Sequence, residues 1–134
     1  MTQMIFVNLP VKDLEVSKAF FTKLGYTVNA QFTDENASSI VISDTIVVML
    51  LKEDFFKTFT TRTIADTATT VESITCLSAE SREAVDTLVD TALSAGGSAA
   101  QEPQDHGFMY GRSFLDPDGH HWEVMWMDPA AIQG

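Results

Sequence analysis

One cysteine in 134 residues, Cys76, cannot close an internal disulfide, so the disulfide-stapled secreted class is excluded. Basic residues are also scarce. Eight Lys and Arg stand against nineteen Asp and Glu, for a net charge of -11 and a pI near 4.4. A nucleic-acid binder clusters its cations along one face, whereas these are spread through the chain, so no nucleic-acid partner is expected. No apolar run reaches the roughly 18 residues that cross a bilayer, so no membrane partner is expected either. The first residues, Met1-Thr2-Gln3-Met4-Ile5-Phe6, lack the basic start and long apolar segment of a secretory signal, and a cytoplasmic location is the simplest expectation. The acidic balance itself mainly keeps the protein dissolved.

What is present suits one globular domain. Hydrophobic residues make up 45% of the chain and mean hydropathy is +0.04. At this length one core is affordable and two ordinary domains are not.

Along the chain, Ile5-Phe6-Val7-Asn8-Leu9 reads as a strand closed by Pro10, which cannot donate to a ladder. Asp13 is placed to cap a helix over 14–24, whose stripe is Val16, Phe20 and Leu24, with Gly25 behind it. Strands are expected over 26–32, 37–42 and 46–51. The stretch 53–70 reads as a helical turn and linker whose Phe55, Phe56 and Phe59 cover apolar surface. From Val71 the pattern returns: a strand over 74–77, then a helix capped by Ser81 with Val85, Leu88, Val89, Ala92 and Leu93 at full helical spacing, ended by Gly96-Gly97. Strand signals follow at 98–101 and 109–115.

The second half closes on Asp116-Pro117-Asp118-Gly119-His120-His121-Trp122-Glu123-Val124-Met125-Trp126-Met127. Pro117 fixes φ, Gly119 accepts a positive φ, and the aspartates can bond nearby amides, so a turn is expected. The strand after it alternates. His121, Glu123 and Met125 share one face, while Trp122, Val124 and Trp126 share the other and should meet the core.

Two strand–helix–three-strand patterns in tandem, with Leu9-Pro10-Val11-Lys12-Asp13-Leu14 at the first strand–helix junction and Phe114-Leu115-Asp116-Pro117-Asp118-Gly119 before Glu123, resemble the vicinal oxygen chelate superfamily. That group includes glyoxalase I, extradiol dioxygenases, and the bleomycin and fosfomycin resistance proteins. The resemblance implies an α+β fold: two βαβββ units, about 3–52 and 71–127 joined by a linker over 53–70, forming an eight-stranded, cup-shaped mixed sheet with helices outside. It also implies a ligand or substrate on the concave side, a divalent ion there in the metalloenzymes, and frequent pairing into homodimers.

The family's metal ligands, carried over by position, fall on Phe6, Ile74, Glu123 and about Met49. Only Glu123 is a donor. No cofactor is therefore expected, and a divalent metal is disfavoured. The alternation places Phe6, Asn8, Met49, Ile74, Cys76, His121, Glu123 and Met125 on the concave face, a mix suited to a small, partly apolar ligand. Cys76 is read there as a buried, inert thiol. Glu123 in apolar surroundings would hold its proton more tightly and could serve as a general acid or base, or it could simply pair with Arg112 or His121. A rim loop carrying His106, Tyr110 and Arg112 is a second candidate, with a plain hairpin as its alternative reading.

Three functions remain open at this point. One is a metal-free binder of a small molecule. Another is a lyase or isomerase, metal-free or with an atypical metal, using Glu123 with His121 or His106. The third is a structural dimer whose cleft is filled by its own side chains.

Overall fold

The computed structural model describes residues 2–131, and its backbone divides into two compact units between Asp66 and Thr67. Unit one contains β1 (Ile5–Val11), α1 (Leu14–Lys23), β2 (Thr27–Asn29), β3 (Ala37–Val41), β4 (Ile46–Lys52) and the short α2 (Glu53–Phe56). Its four-stranded sheet has the order β1-β4-β3-β2, with β1 parallel to β4 and the other pairs antiparallel.

The local chemistry explains these elements. Asp13 Oδ1 accepts from the amides of Glu15 and Val16 at 3.1 and 3.2 Å, satisfying donors that the first turn of α1 leaves free. Gly25 follows the C-cap at φ 102°, a conformation that favours glycine. α1 packs on β3 and β4. Its Leu14, Phe20 and Phe21 are buried, as are Leu9, Val11, Ile40, Val48 and Leu50 of the sheet.

Three expectations for this unit need correction. β1 does not stop before Pro10 but runs on to Val11. It is the end strand of its sheet, where a missing N–H is tolerated. The strand expected over 26–32 shrinks to Thr27–Asn29 and a 3₁₀ turn at Ala30–Phe32. There the Asn29 side chain accepts from the Gln31 amide, and Thr33 Oγ1 donates to the Asn29 carbonyl at 2.8 Å; these local bonds outcompete a ladder. Finally, Phe59 is 68% exposed and covers little, although its ring meets that of Phe55 edge-on.

Unit two repeats the plan with β5 (Ile74–Ser78), α3 (Arg82–Ser94), β6 (Ser98–Ala99), β7 (Gln104–Asp105), β8 (Met109–Leu115) and β9 (His121–Met127). Its sheet runs β5-β9-β8-β6, with β7 also on β8; β5 is parallel to β9 and the rest are antiparallel. The described strands thus number nine, in sheets of four and five, because the polar pair Gln104–Asp105 joins β8 without any hydrophobic signal. Ser81 Oγ accepts from the Ala84 amide at 3.0 Å and starts α3. α3 packs on β8 and β9, burying Val85, Val89 and Ala92 on the same side of the sheet as Phe114, Trp122 and Val124. Among the described residues, no helix is long and apolar enough to cross a membrane.

Candidate functional site

The turn before β9 is built around a buried carboxylate. Asp116 Oδ1 accepts from the amides of Asp118 and His120, and Oδ2 accepts from Trp122 Nε1 at 3.0 Å. Burial pushes the Asp116 pKa up, and these donors together with nearby His120 pull it back. Gly119 has φ 82°, and an added Cβ would sit 2.8 Å from Thr67 Oγ1, so glycine is needed both for conformation and for space. Thr67 Oγ1 in turn donates to the Asp118 carbonyl. His120, also buried, meets Glu72 Oε1 through Nδ1 at 2.8 Å. Thr67 and Glu72 therefore bind the preceding segment to the turn. Neither had a sequence signal, since both partners lie about fifty residues away.

This turn launches β9 with the expected alternation. Trp122 and Val124 are fully buried toward α3, while His121, Glu123 and Met125 occupy the opposite face. In register, Glu123 lies between Cys76 of β5 and Ser113 of β8, and His121 lies between Ile74 and Leu115. Among the described residues, the Glu123 carboxylate has no hydrogen-bond or ion-pair partner. His121 Nε2 is also buried without one. Cys76 is an exposed residue, not the buried one expected, because β5 ends its sheet. Its sulfur is partly shielded all the same, and burial, then the charge of Glu123, push the thiol pKa up, against the thiolate.

A pocket of about 80 Å³ opens beside Glu123. Met109 and residues 111–113 of β8, Arg112 among them, and residues 123–125 of β9 border its floor; Gln101, Glu102 and Gln104 form its wall. The wall comes from a bulge. Between Ser98↔Leu115 and Gln104↔Gly111 the outer segment advances six residues while β8 moves only four. Ser113 Oγ accepts from the Gln101 amide at 2.9 Å and holds the bulge in place. These wall residues were missed in the sequence, where Pro103 between two short polar stretches is the only mark of an interrupted edge.

The rim candidates divide. Tyr110 and Arg112 send their side chains to the helix face: Tyr110 Oη donates to Asp86 at 2.6 Å, and Arg112 bridges Asp86 and Asp90 at 3.0 and 2.9 Å. Arg112 thus does not pair with Glu123. His106 is exposed at the tip between β7 and β8. In unit one, Phe6 and Val47 are opposite each other in register, as are Asn8 and Met49, so Phe6, Asn8 and Met49 share the face turned away from α1. Phe6 is 55% exposed, and Ile74, its counterpart in unit two, is 52% exposed. Among the described residues, no three His, Cys, Asp or Glu side chains converge as a metal site requires.

Each unit, taken by itself, is a βαβββ module, with β6 and β7 of unit two as one strand broken by the bulge, so the chain is a duplicated α+β protein. It belongs to the glyoxalase/bleomycin resistance protein/dioxygenase superfamily, whose sequence pattern matches residues 3–124. Among solved structures, it is similar to a hypothetical protein of S. aureus, with 31% identity, a TM-score of 0.79 and coverage of 94% of each chain. A family enzyme from Burkholderia phytofirmans PsJN shares 16% identity at a TM-score of 0.78, covering 94% of this chain and 99% of the other. The bleomycin resistance determinant encoded on transposon Tn5 shares 17% at 0.65, covering 95% and 99%. No protein of curated function matches the chain.

Proposed function

We propose that this protein binds a small, partly apolar molecule at the Glu123 pocket without the metal site usual in its superfamily. The observation that carries this reading is an unpartnered, half-buried carboxylate set among methionines, side-chain amides and a second carboxylate, Glu102. A pocket of about 80 Å³ is well below the roughly 300–1,000 Å³ that encloses a drug-sized ligand. It therefore takes one group of the ligand, and the rest lies against the face of Ile74 and Cys76. The donor set supports the metal-free part, since Phe6, Ile74 and Met49 offer no imidazole, carboxylate or thiolate at the places the family uses.

Metal-free bleomycin is a suitable first probe, given the Tn5 relative. Calorimetric titration is expected to show saturable binding, weakened about tenfold by Glu123→Gln, the loss of one charge-assisted contact. Unchanged affinity in that variant removes Glu123 from the site. Stoichiometric Fe, Mn, Ni or Zn in the purified protein overturns the metal-free part.

The bare Nε2 of His121 favours one second reading, a lyase or isomerase in which Glu123 moves a proton and His121 assists. Ligand recovered from D2O with a changed covalent structure or with deuterium at carbon, absent without the protein, would establish it; ligand recovered unchanged leaves binding alone. We read the assembly as a homodimer, because Phe6 and Ile74 are large apolar side chains left more than half exposed on end strands.

A further inference from the structure

We propose that Arg82 is a positioning residue of the Glu123 pocket, clamping from the helix side the strand whose other side forms the pocket wall. The inference rests on the binding reading above and adds to it a residue that does not line the pocket. β7 is only Gln104–Asp105, an outer segment paired with β8 alone. Its two side chains alternate. Gln104 faces the pocket with Gly111, and Asp105 faces α3 with Tyr110. Asp105 is thus a handle on the far side of the wall.

Arg82, the first residue of α3, grips that handle. Its Nη1 and Nη2 donate to the two Asp105 oxygens at 2.9 Å each, and Nη2 also donates to the Gly107 carbonyl at 2.8 Å. The planar fork matches a carboxylate in a way an ammonium cannot. The guanidinium itself is held 5.2 Å from the ring centres of both Tyr110 and Trp126. Tyr110 is anchored to Asp86, one helical turn beyond Arg82. Asp105 Oδ1 also accepts from the Gly107 amide, so the hairpin tip is tied to the same group. A two-residue strand beside a bulge has few ladder bonds of its own. One arginine therefore sets where Gln104 of the wall stands relative to Glu123 of the floor.

Hydrogen exchange and metal-free bleomycin titration on the full chain test this together. In Arg82→Met, amides over 104–109 are expected to exchange about tenfold faster while α1 is unchanged. Bleomycin affinity should fall by about the same factor, with partial recovery in Arg82→Lys, which restores charge without the fork. Asp105→Asn reaches the clamp from its other partner and must give the same pattern, even if Arg82→Met folds poorly. Lys18→Met, at the ion pair with Glu15 on α1, should alter neither readout. Unchanged exchange in Arg82→Met and Asp105→Asn refutes the clamp. Faster exchange with unchanged affinity refutes its role at the pocket. Wild-type protein that binds no bleomycin sinks the binding reading and the pocket role together, while the exchange data still decide the clamp.

Discussion

Asp116 does three jobs with one buried carboxylate: it closes the turn, seats His120 and satisfies the indole of Trp122. Replacing it by Ala removes one hydrogen bond from each of these three donors, two of them buried, for a loss of about 1–3 kcal/mol each at most and less than their sum. Chemical denaturation of Asp116→Ala is expected to show a lowered midpoint with an unchanged slope. Gly119→Ala meets both a positive φ and Thr67 Oγ1, and should destabilise by about 1–3 kcal/mol. Gly96→Ala is the useful comparison, since its φ is also positive but its added Cβ meets nothing within 4 Å. A larger loss at Gly119 than at Gly96 would confirm that the close approach matters beyond φ. The sequence announced the turn through Pro117 and Gly119. It could not announce Thr67, Glu72 or the indole bond, because those partners meet only after the chain has folded back.

At the scale of elements, α3 presents Arg82, Asp86 and Asp90 four residues apart, each meeting a polar group of the β7–β8 hairpin. The apolar stripe of this helix was legible as Val85, Val89 and Ala92, but its charged stripe was not, since spacing shows that residues share a face without naming what they meet. Hydrogen bonding from Arg82, then from the Gly107 amide, lowers the Asp105 pKa to about 2 from an ordinary 3.8. A depressed folded pKa means the carboxylate stabilises the hairpin above pH 3.8, and that contribution is lost as pH falls through about 2. Carboxyl NMR of Asp105 should titrate near 2 in the wild type and return toward 3.8 in Arg82→Met. A midpoint near 3.8 in both would show that the clamp does not form in solution.

For the whole molecule, sedimentation equilibrium should report twice 14.7 kDa, since a second copy would cover the half-exposed Phe6 and Ile74. A monomer at tens of micromolar would refute that assembly. The duplicated βαβββ order, both main helices with their caps, and the inward set Trp122 and Val124 were determined by the sequence alone. Each depends on periodicity or on a cap within a few residues, and such local chemistry is written along the chain. Tertiary structure decided the rest. It turned Tyr110 and Arg112 to the helix face, exposed Cys76 on an end strand, and raised a pocket wall from a bulge at Pro103. Those outcomes depend on which strands become neighbours and in what register, and register is settled only when the sheet closes against its helix.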